Sequence, residues 1–528
     1  MTVKINFQIG KRWIVLPLFS GLLLTLSFYP FDLWYFSFIA LVPIFLLLSV
    51  GGKVAGKKIF WGGFIVGAIF SLFLSFFTLF QFHWLQEAHL FVWLIKLMPI
   101  PIAIISGTIV GLIFLLYKKI SFNKPVDIFI LTAISVLIEI IQSNLFAGFN
   151  SGLLAYASHS LTPLLRLSSV IGVFGVSFII TLINSFIAFF IIRPDYRKKI
   201  IIFALISFAI IFLINFINNN YLGSDGDYQT AKFAIIQNAD RGNVLGSVKN
   251  GELYLTYQGL IAEARYYKPD FIIYPFSLFN GYLADNIKNV ANEGLKKAVL
   301  MDSTGLGKWI DKNAGFQSIF VNWINVVRND NVYPEMLFWQ GKNQLANYQK
   351  RDLFPFMDYT PELFKNIGLF TTSVDAQKAE SNNLPVQINN IKFAPLICSE
   401  LFHPELSRED SLKGANVLIS IGSEAMFSDE IPGKWNLIVS QFRAAENNRP
   451  LVRANILGGS ALIDENGKII KESGFGKTGV LVGELNYKKS PKNTFYSYFG
   501  DTPFIIAIII FLALCVFVKF RNKRVGVV

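Results

Sequence analysis

The run Phe393-Ala394-Pro395-Leu396-Ile397-Cys398-Ser399-Glu400 reads as a short apolar strand that stops at a cysteine and then turns polar. A thiol at the end of a strand can be presented to a site as a nucleophile. Only two cysteines occur among 528 residues, and the other, Cys515, lies in an apolar run of membrane length. Cys398 therefore has no evident disulfide partner. Upstream, Tyr348-Gln349-Lys350-Arg351-Asp352-Leu353-Phe354-Pro355-Phe356 places Lys350 just before an apolar, proline-bearing loop, where partial desolvation tunes an ammonium and its charge favours thiolate. Glu400 and Asp358 are carboxylates near the same candidate centre, and either can orient the lysine. The bland alternatives are a packed inert cysteine, a solvated lysine and surface carboxylates, the usual fates of these residue types.

Around this pair, residues 223–488 alternate short β-rich runs with polar or helical stretches. The expected strands are Lys232–Gln237, Asp270–Tyr274, Gln317–Val321, Ile391–Ile397, Val417–Ile421, Ser460–Ile463 and Thr478–Val482. The expected helices are Glu252–Tyr267, Asp285–Ala298 and Lys434–Asn447. Such alternation indicates a layered α/β domain with its own core.

The rest of the chain is of another kind. Hydrophobic residues make up 53% of the sequence and charged residues 16%, too apolar for a soluble protein of this length. Eight apolar spans are expected, at 13–29, 34–50, 59–81, 99–117, 126–143, 166–192, 200–218 and 502–518. The first has a basic flank at Lys4, Lys11 and Arg12 but no small-x-small cleavage site, and is read as a retained helix. Lys53, Lys57 and Lys58, then Lys118, Lys119 and Lys124, then Arg193, Arg197, Lys198 and Lys199, and finally Lys519, Arg521, Lys523 and Arg524 fall in alternate loops and the tail. Loops 30–33, 82–98 and 144–165 hold only Lys96. The excess of Lys and Arg on one side puts both termini in the cytoplasm and the long polar segment outside it.

Three regions follow: a seven-helix transmembrane domain over 1–220, an extracytoplasmic domain over 221–500, and a final helix with a basic tail over 501–528. The net charge of +13 is accounted for by the cytoplasmic loops and tails, so nucleic-acid binding is unsupported. His83, His89, His159 and His403 show no ligand spacing, and neither a metal nor another cofactor is expected. His403-Pro404 reads as a loop element rather than half of a Cys/His dyad.

Several motifs in order resemble the apolipoprotein N-acyltransferases, membrane enzymes of the nitrilase superfamily. They are Phe28-Tyr29-Pro30-Phe31-Asp32-Leu33-Trp34; Gly152-Leu153-Leu154-Ala155-Tyr156-Ala157; Gly172-Val173-Phe174-Gly175-Val176-Ser177-Phe178; the Lys350 and Cys398 runs; and Arg443-Ala444-Ala445-Glu446 with Arg449-Pro450-Leu451-Val452-Arg453-Ala454. The resemblance implies a multi-spanning α-helical membrane bundle carrying a nitrilase-like (CN hydrolase) αββα sandwich, in a bacterial cytoplasmic (inner) membrane. It implies that Cys398 attacks an ester of a membrane phospholipid, and that the resulting thioester passes its acyl group to the α-amine of a diacylated lipoprotein. Lys350 and the backbone N–H of Ser399 would steady the oxyanion. Phe354, Phe356, Phe364, Leu369 and Phe370, with Met426, Phe427 and Trp435, would line an acyl channel, dip into the interface or seal the domain.

The chain departs from the family where a catalytic glutamate follows a Trp-Pro pair. Here the run is Ile273-Tyr274-Pro275-Phe276-Ser277, and Phe276 cannot accept a proton. Ser399, Met426, Glu424 and Gln142 also stand where the family usually has other residues. Three readings stay open: a working acyltransferase with Glu400 as substitute base or with Cys398 already partly thiolate; a degenerate paralogue that binds lipid or lipoprotein without turnover; and a membrane-tethered nitrilase-type amidase.

Overall fold

The computed structural model describes residues 12–49, 54–80, 96–145, 152–223, 226–239, 250–275, 282–285, 287–355, 357–365, 375–379, 385–425, 427 and 429–524. They form two compact units. One takes the helices up to Leu222 and the segment from Phe499 onward, and the other spans Gly223–Tyr498.

The first unit contains α1 (Arg12–Leu26), α2 (Val42–Ser49), α3 (Gly56–Ser75), α4 (Pro99–Ile120), α5 (Asp127–Leu145), α6 (Thr162–Ile192), α7 (Arg197–Leu222) and a C-terminal helix, Thr502–Arg524. Among the described residues, α3 to α7 and the C-terminal helix are the six long and apolar enough to cross a membrane. The two expected spans nearest the amino terminus are shorter than the sequence suggests. At 1.5 Å per residue the 15 residues of α1 reach about 22 Å, short of a hydrocarbon layer of about 30 Å. The second breaks into a 3₁₀ turn, Trp34–Phe38, followed by the eight residues of α2.

A polar side chain stabilises that break. Asn184 of α6 accepts the Leu41 N–H at 2.9 Å and donates to Ser37 O at 2.9 Å. Backbone groups freed by an interrupted helix must be met from within the protein when water is absent. Helices α3 and α4 meet through glycines: a Cβ at Gly67 would lie 3.0 Å from Gly107 Cα, and one at Gly107 would lie 2.7 Å from Phe64 O. Such close backbone approach replaces the hydrophobic drive that lipid does not supply. Within α6, Gly172 has φ of +65°, which breaks the helix where the glycine-rich motif stands.

The second unit contains fourteen strands among the described residues: β1 (Tyr228–Gln237), β2 (Phe271–Tyr274), β3 (Tyr282–Ala284), β4 (Val299–Asp302), β5 (Ile319–Arg328), β6 (Asn331–Gln340), β7 (Asn343–Gln349), β8 (Val386–Ile388), β9 (Ile391–Ile397), β10 (Val417–Ser423), β11 (Leu451–Ile456), β12 (Ala461–Ile463), β13 (Ile469–Glu472) and β14 (Gly479–Lys488). One sheet runs β14-β1-β2-β5-β3-β4, with β6 and β7 extending from β5, and the other runs β13-β12-β11-β10-β9-β8. Strands β1, β2 and β5 are parallel, as are β9, β10 and β11.

The inner faces share one core: Phe233, Phe271, Val321 and Phe338 from the first sheet meet Phe393, Ile419, Val452 and Leu462 from the second. On the outer face of the first sheet lie helix α8 (Asn250–Tyr266) and helix α9 (Ser303–Asn313), through Ile261, Leu306 and Ile310. Leu437 and Ala444 of a further helix cover the outer face of the second. Burial on both sides explains why β2 reads Phe-Ile-Ile-Tyr without alternation. The result is the expected αββα sandwich.

The expected helix over 285–298 is a short 3₁₀ turn, Ile287–Asn289, and a helix of six residues, Glu293–Ala298. Between them the Asp330 carboxylate accepts the N–H groups of Ala291 and Asn292, each at 2.9 Å, and so competes with helical bonding.

Replacing Asn184 by Leu leaves the Leu41 N–H and Ser37 O unmet, which costs about 1–3 kcal/mol per buried group. The melting temperature of the detergent-solubilised protein is expected to fall. Gly107→Leu is expected to lower it further than Gly107→Ala, because the larger side chain cannot avoid Phe64. Equal melting temperatures for all three variants and the unaltered protein would refute this packing account.

Candidate active site

Strand β9 ends at Ile397, and the chain passes into a 3₁₀ turn, Cys398–Phe402. Cys398 takes a left-handed φ of +53°, a conformation that costs a non-glycine residue about 1–3 kcal/mol. It turns the thiol out of the strand end, where it stays only half-buried against the core. Lys350 follows β7 directly. Its N–H bonds to Pro334 O and its side chain is 2% exposed.

Glu400 holds these two segments together. Fully buried, it accepts the Ile397 N–H at 2.8 Å, the Tyr348 hydroxyl at 3.0 Å, the Arg351 N–H at 2.6 Å and the Asp352 N–H at 3.1 Å. Burial pushes its carboxyl up, while those donors together with Lys350 and Arg351 pull it back. With four donors engaged, Glu400 organises the site and is not free to take the thiol's proton. Arg351 extends the same network through a bidentate pair with Asp410, at 3.1 and 2.7 Å, and a bond to the Tyr348 hydroxyl at 2.9 Å. Sequence reading quoted Tyr348 and Arg351 without roles and passed over Asp410, whose helical neighbourhood carries no local signal.

Asp358 lies directly beside Lys350. Its Oδ2 accepts Lys350 Nζ at 2.5 Å and the Phe354 N–H at 2.7 Å, while Oδ1 takes no hydrogen bond from the described residues. Burial alone would lower the Lys350 ammonium, but Asp358 and Cys398 overcome it and hold it above the usual lysine range. Burial pushes the Cys398 thiol up. Lys350 opposes this, Asp358 and Glu424 add to it, and the Ser399 N–H pulls the thiol back down. The net direction is upward, with Lys350 and the Ser399 N–H as the two influences that favour thiolate. Cys398, Lys350, Asp358, Glu400 and the Ser399 N–H thus come together in one unit, with Glu424 close by.

Of the aromatic residues read as channel or seal, Phe427 and Trp435 are buried and Phe354 is half-buried. Phe356, Leu369, Phe370, Met426 and the side chain of Phe364 lie outside the described residues, as does Phe276.

His403 closes the cluster. Its Nε2 contacts Asp352 at 2.8 Å and its Nδ1 contacts Glu405 at 3.2 Å. Burial would lower its pKa, but the two carboxylates raise it to about 9. A histidine raised above its free value of about 6.5 contributes stability that is complete below that value and lost as pH rises through the folded value. The melting temperature is therefore expected to decline between about pH 6.5 and pH 9, and His403→Asn to flatten that part of the curve. Parallel curves for the two proteins would contradict the assignment.

Comparison with known proteins agrees with this architecture. The sequence model of the Apolipoprotein N-acyltransferase N-terminal domain matches residues 20–186, and that of the Carbon-nitrogen hydrolase family matches residues 252–490. An apolipoprotein N-acyltransferase of Borreliella burgdorferi is 27% identical, with 97% of each chain covered. Apolipoprotein N-acyltransferase 1 of Treponema denticola is 26% identical over 93% of this chain and 92% of its own. Among solved structures, an amidase from Nesterenkonia sp. is 19% identical and covers 48% of this chain and 90% of its own, with a TM-score of 0.36. With one model on the helical unit, the other on the sandwich, and relatives aligned nearly end to end, the chain is similar to the apolipoprotein N-acyltransferases along nearly its whole length.

Proposed function

We propose that this multi-pass membrane protein transfers an acyl chain from a membrane phospholipid to the α-amine of a diacylglyceryl-cysteine lipoprotein, through a thioester on Cys398. The observation that carries this reading is the Glu400 clamp, which joins the Cys398 turn to the Lys350 loop within one unit. A thiol next to a buried, hydrogen-bonded ammonium is equipped for attack on an ester carbonyl.

In the first step the thiol proton passes to Asp358, whose Oδ1 is unoccupied by the described residues, as sulfur bonds to the ester carbon. Lys350 Nζ and the Ser399 N–H steady the negative charge that develops on the carbonyl oxygen. The proton then goes to the departing glycerol oxygen, which leaves a lysophospholipid. In the second step the lipoprotein amine displaces sulfur. Both substrates are lipids, which gives a reason for the six long apolar helices on the same chain.

The remaining assignments follow the loop charges. The chain crosses a bacterial inner membrane eight times, with the segments at 13–29 and 34–50 counted as shortened spans. Regions 1–220 and 501–528 form the membrane domain, and 221–500 faces away from the cytoplasm.

After incubation with a labelled phospholipid, the protein is expected to carry a hydroxylamine-sensitive acyl group that Cys398→Ser abolishes. Release by a lipopeptide amine and not by water separates a transferase from an amidase; no acyl group at all points to a binding protein. Lys350→Met is expected to slow acylation by about 10²–10³-fold, the cost of losing one oxyanion donor. Phe276→Glu restores a carboxylate at the family's position and is expected to raise the acylation rate, since a positioned base contributes roughly 10²–10⁴-fold. An unchanged rate would mean that Asp358 already supplies what the missing glutamate would.

A further inference from the structure

A second carboxylate follows the end of the neighbouring parallel strand, on the same edge of the sheet as the thiol. In the parallel register of β10 with β9, Ile421 pairs with Ile397, so Gly422 is level with Cys398. A Cβ at Gly422 would lie 3.8 Å from Cys398 Cα and 3.3 Å from Asn455 Oδ1. Glu424 lies two residues further on, just past the end of β10 at Ser423.

The Glu424 side chain is anchored by one oxygen only. Oε1 accepts Arg453 Nη2 at 2.7 Å, Asn455 Nδ2 at 2.7 Å and Asn436 Nδ2 at 2.8 Å. Oε2 takes no hydrogen bond from the described residues. The side chain as a whole is only 4% exposed. A guanidinium and two amides aimed at one oxygen hold the carboxylate plane in place and so fix where the other oxygen points. Burial is the main influence on the Cys398 thiol, and Glu424 is one of the charges felt there.

A carboxylate oxygen left without a donor recognises a ligand that brings one. The phospholipid ester presents only acceptor oxygens at its reacting carbon, and its phosphate would be repelled. An amine presents N–H groups. We propose that Glu424 Oε2 receives the α-amine of the acceptor lipoprotein. This rests on the acyl-transfer reading and deepens its second step. The amine enters neutral, as a fraction of α-amines with pKa of about 7.7–8.0 are at physiological pH. Its nitrogen bonds to the thioester carbon and one N–H proton passes to Glu424. The C–S bond then breaks, and the proton goes to sulfur, regenerating the Cys398 thiol and the Glu424 carboxylate. Asn436 and Asn455 are positioning residues that set the direction of Oε2.

The test separates the two steps in the full-length, detergent-solubilised protein. Each variant is first charged with labelled phospholipid, then offered a diacylated lipopeptide with a free α-amine. For Glu424→Gln, thioester formation is expected to stay within about threefold of the unaltered protein while release to the lipopeptide falls by about 10²-fold or more. Hydroxylamine, a strong nucleophile that needs little base assistance, should strip the acyl group at the unaltered rate. Glu424→Asp should recover most of the transfer. Asn436→Leu, which keeps Arg453 and Asn455 on the carboxylate, should show a smaller loss confined to the same step. Transfer that is insensitive to Glu424→Gln overturns the inference. So does an equal loss of both steps in Glu424→Gln and Asn436→Leu, which would give the carboxylate to the sulfur or to the fold. If the unaltered protein forms no thioester, the acyl-transfer reading itself fails, and the inference with it.

Discussion

Glu400 is the interaction on which the arrangement of the site depends. Cys398 and Lys350 belong to different sheets of the sandwich and need not have met. The carboxylate two residues after the cysteine reaches back to the Ile397 N–H and across to Tyr348, Arg351 and Asp352. A buried carboxylate is tolerated only when its lone pairs are occupied, and here the occupants come from both sides of the site. The same bonds hold Cys398 in its left-handed conformation. The local strain of the turn and the desolvation of the carboxylate are offset by one network, so the geometry of the thiol and the charge of the lysine are fixed together.

The helical unit solves a related problem with polar side chains set in apolar helices. Where the second apolar segment breaks, Asn184 meets a free N–H and a free carbonyl. Where α5 ends, Glu139 Oε1 accepts the Leu154 N–H at 2.9 Å, and Ser177 Oγ accepts the adjacent Ala155 N–H at 3.0 Å, so the 3₁₀ turn Leu154–Ser158 has its first donors satisfied. Gln142 reaches Ser106 on α4 at 2.7 Å. Polar residues in these apolar helices stand at the irregular points of the backbone, as the absence of water requires.

Those irregular points are also where sequence reading was least complete. Long uniform apolar runs showed six helices within a few residues of their ends, because hydropathy and length alone define them. The second apolar segment reads as a full span in the sequence, since composition cannot distinguish a continuous helix from a 3₁₀ turn followed by a short one. In the sandwich, β9 is legible at its full bounds and β2 within one residue, β2 being apolar throughout and β9 apolar but for the exposed Lys392. Strand β6, with Pro334 inside it, and β7, whose residues are mostly exposed, were missed, although together they deliver Lys350. Lys350 and Cys398 were legible from their flanking runs, but the fate of each carboxylate was not. That fate depends on how many donors converge from distant segments, which spacing along the chain does not encode.

Three carboxylates near one sulfur illustrate how donor count divides labour among chemically similar groups. Glu400 has every lone-pair direction engaged and can only hold the site in shape. Asp358 shares one oxygen with a lysine and a backbone N–H, while the other takes no hydrogen bond from the described residues. Glu424 has one oxygen anchored by three donors and the other open, at the ends of β10 and β11. In the proposed transfer the proton of the thiol and the proton of the amine each have a carboxylate oxygen to receive them, and neither step draws on a carboxylate at position 276, where this chain has phenylalanine.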